Sequence, residues 1–102
     1  MMSDRKTGDT VRDRIVKRDL KIMNQLGVHA RPAALFVKTA SRFESDVTVE
    51  KDGNSVSGKS IMGLMTLEAG LGAVLKVTAR GPDAEEAAAE LDSLVKNKFF
   101  ED

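Results

Sequence analysis

The chain has 102 residues, sixteen basic and sixteen acidic side chains, four aromatics that are all phenylalanine, and no cysteine. Such a length supports one domain with one modest core, and the missing cysteines exclude a disulfide scaffold. No apolar run approaches the ~20 residues that cross a bilayer, so membrane insertion is not expected; nor is nucleic-acid binding, because no basic stripe is interleaved with aromatics.

Met1-Met2-Ser3-Asp4-Arg5-Lys6 lacks the apolar centre of a signal peptide, and a cytoplasmic protein is expected. Residues 1–14 are polar, charged and without periodicity, and read as a flexible N-terminal extension ahead of a domain over 15–102. Val16, Arg18, Leu20 and Ile22 alternate with Lys17, Asp19 and Lys21, which predicts a strand with one mainly apolar face.

The strand runs into Gly27-Val28-His29-Ala30-Arg31-Pro32-Ala33, where an alanine-rich helical pattern begins. A lone histidine beside a glycine is more often an ordinary loop residue, but the surroundings of His29 favour chemistry. At a helix start its ring faces amides that have no intrahelical acceptor and the positive end of the helix dipole, so an anion carried on it is stabilised. Pro32 fits the first turn and leaves the amides of Ala30 and Arg31 as anion donors. The Arg31 side chain adds a permanent charge suited to phosphate. His29 thus reads as a nucleophile that accepts a phosphoryl group. A metal site is not expected without cysteine or a second histidine, and no motif orients a serine or cysteine hydrolase triad.

Leu35, Phe36, Thr39, Ala40 and Phe43 give the following helix a core-facing stripe. Val47 and Val49 alternate with polar residues, and Asp52-Gly53 signals a hairpin into a short strand around Val56. Ser60 opens a short helix in which Ile61, Leu64 and Leu67 are spaced to face inward. By propensity Ser60 is a helix N-cap. Met62 and Met65 then project elsewhere, as flexible side chains suited to several partners, with Leu64 a further candidate for that patch and Lys38 and Lys59 framing it. Gly70 and Gly72 precede a fourth strand in which Ala73, Leu75, Val77 and Ala79 share a face. Asp83 with Glu86 resembles a capping box, followed by a last helix with Ala84, Ala87, Ala88, Leu91, Leu94 and Val95 on one side. The derived order is βαββαβα, an α+β fold in which an antiparallel sheet buries one face under its helices.

Two segments, Gly27 to Val37 and Gly58-Lys59-Ser60-Ile61-Met62-Gly63-Leu64-Met65, lie about thirty residues apart. Together they resemble the HPr family, the histidine-containing phosphocarriers of the bacterial phosphotransferase system, and the similarity runs from roughly Val16 to the C-terminus. The resemblance implies an open-faced β-sandwich: a four-stranded antiparallel sheet with three helices on one face. It also implies a phosphoryl carrier rather than an enzyme, a monomer without cofactor, in which His29 takes a phosphoryl group on Nδ1 from enzyme I and passes it to a sugar-specific or nitrogen-type acceptor. Arg31 matches the arginine that neutralises the transferred phosphate. Ser60 matches the serine that an ATP-dependent HPr serine kinase/phosphorylase modifies in many relatives, a modification read by a transcriptional regulator.

Leu26 stands where many members have a polar cap, with Asn24 or Gln25 as substitutes, and Leu71 stands where many have lysine. Asn24-Gln25-Leu26-Gly27 and the ending Gly81-Pro82-Asp83, Phe99-Phe100-Glu101 are more similar to NPr, the paralogue of the nitrogen-related system. An NPr-like regulator and a Ser60-phosphorylated corepressor module are therefore the alternatives to a sugar-system carrier.

Overall fold

The computed structural model describes residues 14–101; the N-terminal extension expected over residues 1–14 falls, apart from Arg14, outside the described residues. Four strands, β1 (Ile15–Lys21), β2 (Asp46–Lys51), β3 (Asn54–Ser57) and β4 (Val74–Arg80), alternate with three helices, α1 (Ala30–Ala40), α2 (Ile61–Thr66) and α3 (Ala84–Lys96), in the order βαββαβα. The strands form one sheet in the order β1-β4-β2-β3. Every neighbouring pair is antiparallel.

The period-2 pattern decides which face is buried. In register, Val16, Ala79 and Val47 form one row, and Leu20 pairs with Leu75 and Val49 with Val77; all of these are buried. Lys17, Thr78 and Thr48 form a row on the opposite face, as do Asp19, Lys76 and Glu50. The helices supply Ala33, Phe36 and Ala40 from α1, Leu64 from α2 and Leu91, Leu94 and Val95 from α3 to the same core. A smaller cluster of Val16, Ala79, Ala84, Ala87 and Ala88 holds the start of α3 on the sheet, with Phe43 packed against it. The result is an open-faced α+β sandwich.

Local chemistry explains the connections. Asp52 and Gly53 both have positive φ, 52° and 84°, between the paired Lys51 and Asn54, as a two-residue type I′ hairpin requires. Three sequence expectations are corrected. The buried stripe of α1 is Pro32, Ala33, Phe36 and Ala40, whereas Leu35 and Thr39 are half-buried, because residues 33, 36 and 40 share one face at helical spacing and that face is the one turned to the core. Ile61 is exposed, leaving Leu64 and Leu67 as the inward residues of the second helical segment. Asp83 occupies the N-cap of α3 without capping it through its side chain.

The Asp83 carboxylate instead accepts hydrogen bonds from the Ser45 hydroxyl at 2.5 Å, the Ser45 amide at 2.9 Å and the Glu44 amide at 3.0 Å, tying the loop after α1 to the start of α3. The Ser45 hydroxyl in turn accepts from the Asp83 amide at 3.2 Å. These donors, the Ser45 hydroxyl foremost, hold the carboxyl below the ordinary carboxylate value. A depressed folded-state value stabilises the fold above the unfolded-state value and loses that contribution as pH falls through the folded one. Asp83→Asn is expected to lower stability by about 1 kcal/mol at neutral pH, below the ~1.5–3 kcal/mol of hydrogen bonds to a charged group because this one is water-screened. Denaturation midpoints of both proteins, followed from neutral to about pH 2, should converge on acidification; a constant gap would contradict this role of the carboxylate.

Candidate functional site

The chain leaves β1 into a tight turn at Asn24–Gly27, closed by the Gly27 amide on the Asn24 carbonyl at 3.2 Å. Gly27 has φ +69°, and a β-carbon there would collide with the Ala69 carbonyl oxygen and approach the Gly70 Cα to 2.7 Å. The glycine thus lets two loops touch: the Val28 amide bonds the Ala69 carbonyl at 2.8 Å, and Ile22 exchanges bonds with Ala73 and Gly72, each 2.8 Å. Gly27→Ala is expected to destabilise by about 2–4 kcal/mol, combining a left-handed backbone with overpacking.

That clamp delivers His29 to the N-cap of α1 with extended backbone (φ −92°, ψ −168°) and no side-chain cap bond, so its ring is not spent on the helix end. The helical ladder begins with the Ala33 amide on the His29 carbonyl at 2.9 Å. The amides of Ala30 and Arg31 therefore lie ahead of the first intrahelical bond, Pro32 has none to offer, and Arg31 is exposed in the same turn. An eleven-residue helix presents its positive dipole end here.

One ring nitrogen has a partner. The imidazole side chain is 38% exposed, and its Nε2 lies 3.1 Å from Glu101 Oε2 and 3.4 Å from Oε1. The Asn24 side chain is fully buried; its Nδ2 donates to Gly27 O at 2.8 Å and to Glu101 Oε1 at 2.9 Å. Asn24 thus braces the turn and the carboxylate, whereas the sequence reading had it as a substitute helix cap. Glu101 reaches the ring because the chain reverses after α3: Lys98, Phe99 and Phe100 have φ of 55°, 54° and 59°. Left-handed backbone costs about 1–2 kcal/mol at each such residue, and the buried Phe99 anchors the reversal in the core.

Helix α2 packs directly on α1. Ser60 is its N-cap, its Oγ accepting from the Gly63 amide at 2.9 Å. Met62 and Met65 are exposed, 74% and 39%, as a contact patch needs. Leu64, proposed from sequence for the same patch, is 1% exposed and is a core residue; the patch's apolar neighbour on α2 is Ile61. Lys59 does not simply frame this surface, since its Nζ donates to Phe43 O at 2.9 Å; Lys38 is exposed on α1. Leu26 and Leu71, on the two clamped loops, are also exposed. Among the described residues no cluster of three metal-ligating side chains forms, and no helix is long and apolar enough to cross a membrane.

The arrangement brings together His29, Arg31 and the free amides of α1, with the Ser60 helix packed alongside. It adds Glu101, for which the sequence offers no role at the site, and makes Asn24 a brace for that carboxylate in place of a helix cap. The chain matches the family model described as the PTS HPr component phosphorylation site over residues 16–97. It is 43% identical over 88 residues to phosphocarrier protein HPr of Treponema pallidum, covering 86% of this chain and all of that one. It is 44% identical over 84 residues to the HPr-like protein Crh of Bacillus subtilis, covering 82% and 99%. The crystal structure of HPr-C-His from Thermoanaerobacter tengcongensis superposes with a TM-score of 0.82 at 49% identity, covering 85% of this chain and 98% of the other.

Proposed function

This chain belongs to the HPr family of phosphocarrier proteins, and from that premise we propose that His29 accepts a phosphoryl group from phosphorylated enzyme I and hands it to an acceptor protein of a phosphotransferase relay. The observation that carries the reading is the placement of a partly exposed imidazole, its Nδ1 outside the Glu101 contact, at the amide-rich start of α1 beside Arg31. Transfer of a phosphoryl group depends on positioning and electrostatics more than on covalent work by the protein. The Nδ1 lone pair forms the bond to phosphorus as the donor's bond breaks. Arg31 and the amides of Ala30 and Arg31 offset the charge on the phosphoryl oxygens. Met62 and Met65 beside this site give the partners an adaptable apolar contact. The direct test is incubation with labelled phosphoenolpyruvate and enzyme I. One acid-labile phosphate per chain, discharged on adding an acceptor, is expected; no label, or an acid-stable one, would contradict the carrier role.

Ser60 is the regulatory position in this reading. Its hydroxyl sits at the start of α2, next to Met62, so a phosphate of about −1.5 to −2 charge there is tolerated by the fold but repels an acidic docking surface. Kinase-phosphorylated protein is expected to keep its thermal midpoint or gain about 0.3–1 kcal/mol, while its transfer rate from enzyme I falls, most strongly at low salt. Equal transfer rates for the two forms would leave Ser60 as a helix cap alone.

A further inference from the structure

We propose that Glu101 is a positioning residue for His29, and that Asn24 holds Glu101 in place. This rests on the phosphoryl-carrier reading given above and names the device that prepares the ring for it. Glu101 and Asn24 carry no weight in the paired motifs, and Glu101 lies beyond the matched stretch of residues 16–97. Yet its carboxylate faces Nε2 of the only histidine in the chain.

A carboxylate can only accept a hydrogen bond, so the ring nitrogen that faces it carries the proton. Holding hydrogen on Nε2 leaves the lone pair on Nδ1, aimed away from Glu101, where an incoming phosphoryl group needs it. When Nδ1 bonds to phosphorus, the donor's bond to phosphorus breaks and its electron pair leaves with the donor, and the Nε2 proton stays. The ring then bears positive charge, and Glu101 faces that charge directly. A buried carboxylate plays the same part toward the imidazole of a serine-protease triad.

The support of Glu101 is itself built. Asn24 is fully buried and commits both amide hydrogens, one to Gly27 O and one to Glu101 Oε1. Its Oδ1 is left without a hydrogen-bond partner among the described residues. Buried orphan acceptors are uncommon, and this one is retained where the amide's donors are both in use. The three left-handed residues Lys98–Phe100, with Phe99 locked in the core, direct the chain end back over the ring. Backbone strain of this kind persists where the surroundings enforce it.

The test uses the full chain labelled with 15N-histidine, in which one ring gives all the signal. The unsubstituted protein is expected to show the Nε2–H tautomer. In Glu101→Ala the ring signals should move toward a mixture of tautomers, with phosphorylation by phospho-enzyme I slowed about tenfold, the lower end for removing a partner that orients a histidine. Glu101→Gln keeps an acceptor without the charge, so it should hold the tautomer and remain slow. Thermal midpoints report that the variants are folded. An unchanged ring spectrum or an unchanged rate in Glu101→Ala would overturn the proposal. Failure of the unsubstituted chain to take phosphate would refute the carrier function instead, and the ring spectra would still decide what Glu101 does.

Discussion

Replacing His29 by alanine is expected to abolish enzyme-I-dependent phosphorylation outright while leaving the protein folded. His29 is the single histidine of the chain, so no second imidazole can take over. Its side chain lies outside the hydrophobic clusters, and among the described residues its side-chain hydrogen-bond partner is Glu101. The helix below it starts from the His29 backbone carbonyl, which alanine retains. Removal of the ring should therefore shift stability by no more than about 1 kcal/mol, the usual scale for a surface hydrogen bond. Residual acid-labile labelling in a folded His29→Ala protein would show that the phosphoryl group resides elsewhere.

The second large effect is expected from Arg31→Ala. Arg31 is exposed in the first turn of α1, where the proposed transfer would bring phosphoryl oxygens within reach of its guanidinium. Loss of one positioned donor to developing charge in acyl transfer lowers rates by about 10²–10³, and a loss on that scale is expected here. The two remaining backbone amides keep some anion stabilisation, so slow transfer should survive. Single-turnover transfer from phospho-enzyme I measures this, with the thermal midpoint as control. Kinetics equal to those of the unsubstituted protein would take Arg31 out of the mechanism.

How much of this was legible in the sequence depends on the range of the interaction. Alternation in residues 16–22, 47–49 and 73–79 gave the strands, because one buried face imposes a period of two. Asp52-Gly53 gave the hairpin, because both turn positions need positive φ. The placement of His29 and Arg31 at a helix start was readable from Pro32 and the alanine-rich pattern that follows. Interactions between distant residues were not. Asp83 looked like a capping box because Glu86 stands three residues on, yet its carboxylate found donors at Glu44 and Ser45, more than thirty residues away. Leu64 could be assigned to either side of a short helix by spacing alone, and packing placed it in the core. Glu101 meets His29 across 72 residues, through a reversal made of three non-glycine left-handed residues that no propensity would suggest.

The buried Phe99 anchors the reversal that carries Glu101, and its burial comes from the fold. Placing the glutamate on the histidine required the fold. The same holds for Asn24, whose neighbour Gly27 marks a turn but whose side chain points to a partner at the other end of the chain.

The decisive measurement is the 31P–15N coupling in 15N-histidine-labelled protein after incubation with phosphoenolpyruvate and enzyme I alone. A single phosphorus coupled to Nδ1 of His29 and lost in acid is the expected result. Phosphorus found on Ser60, or on any side chain other than His29, would contradict the assignment of this protein as a phosphohistidine carrier.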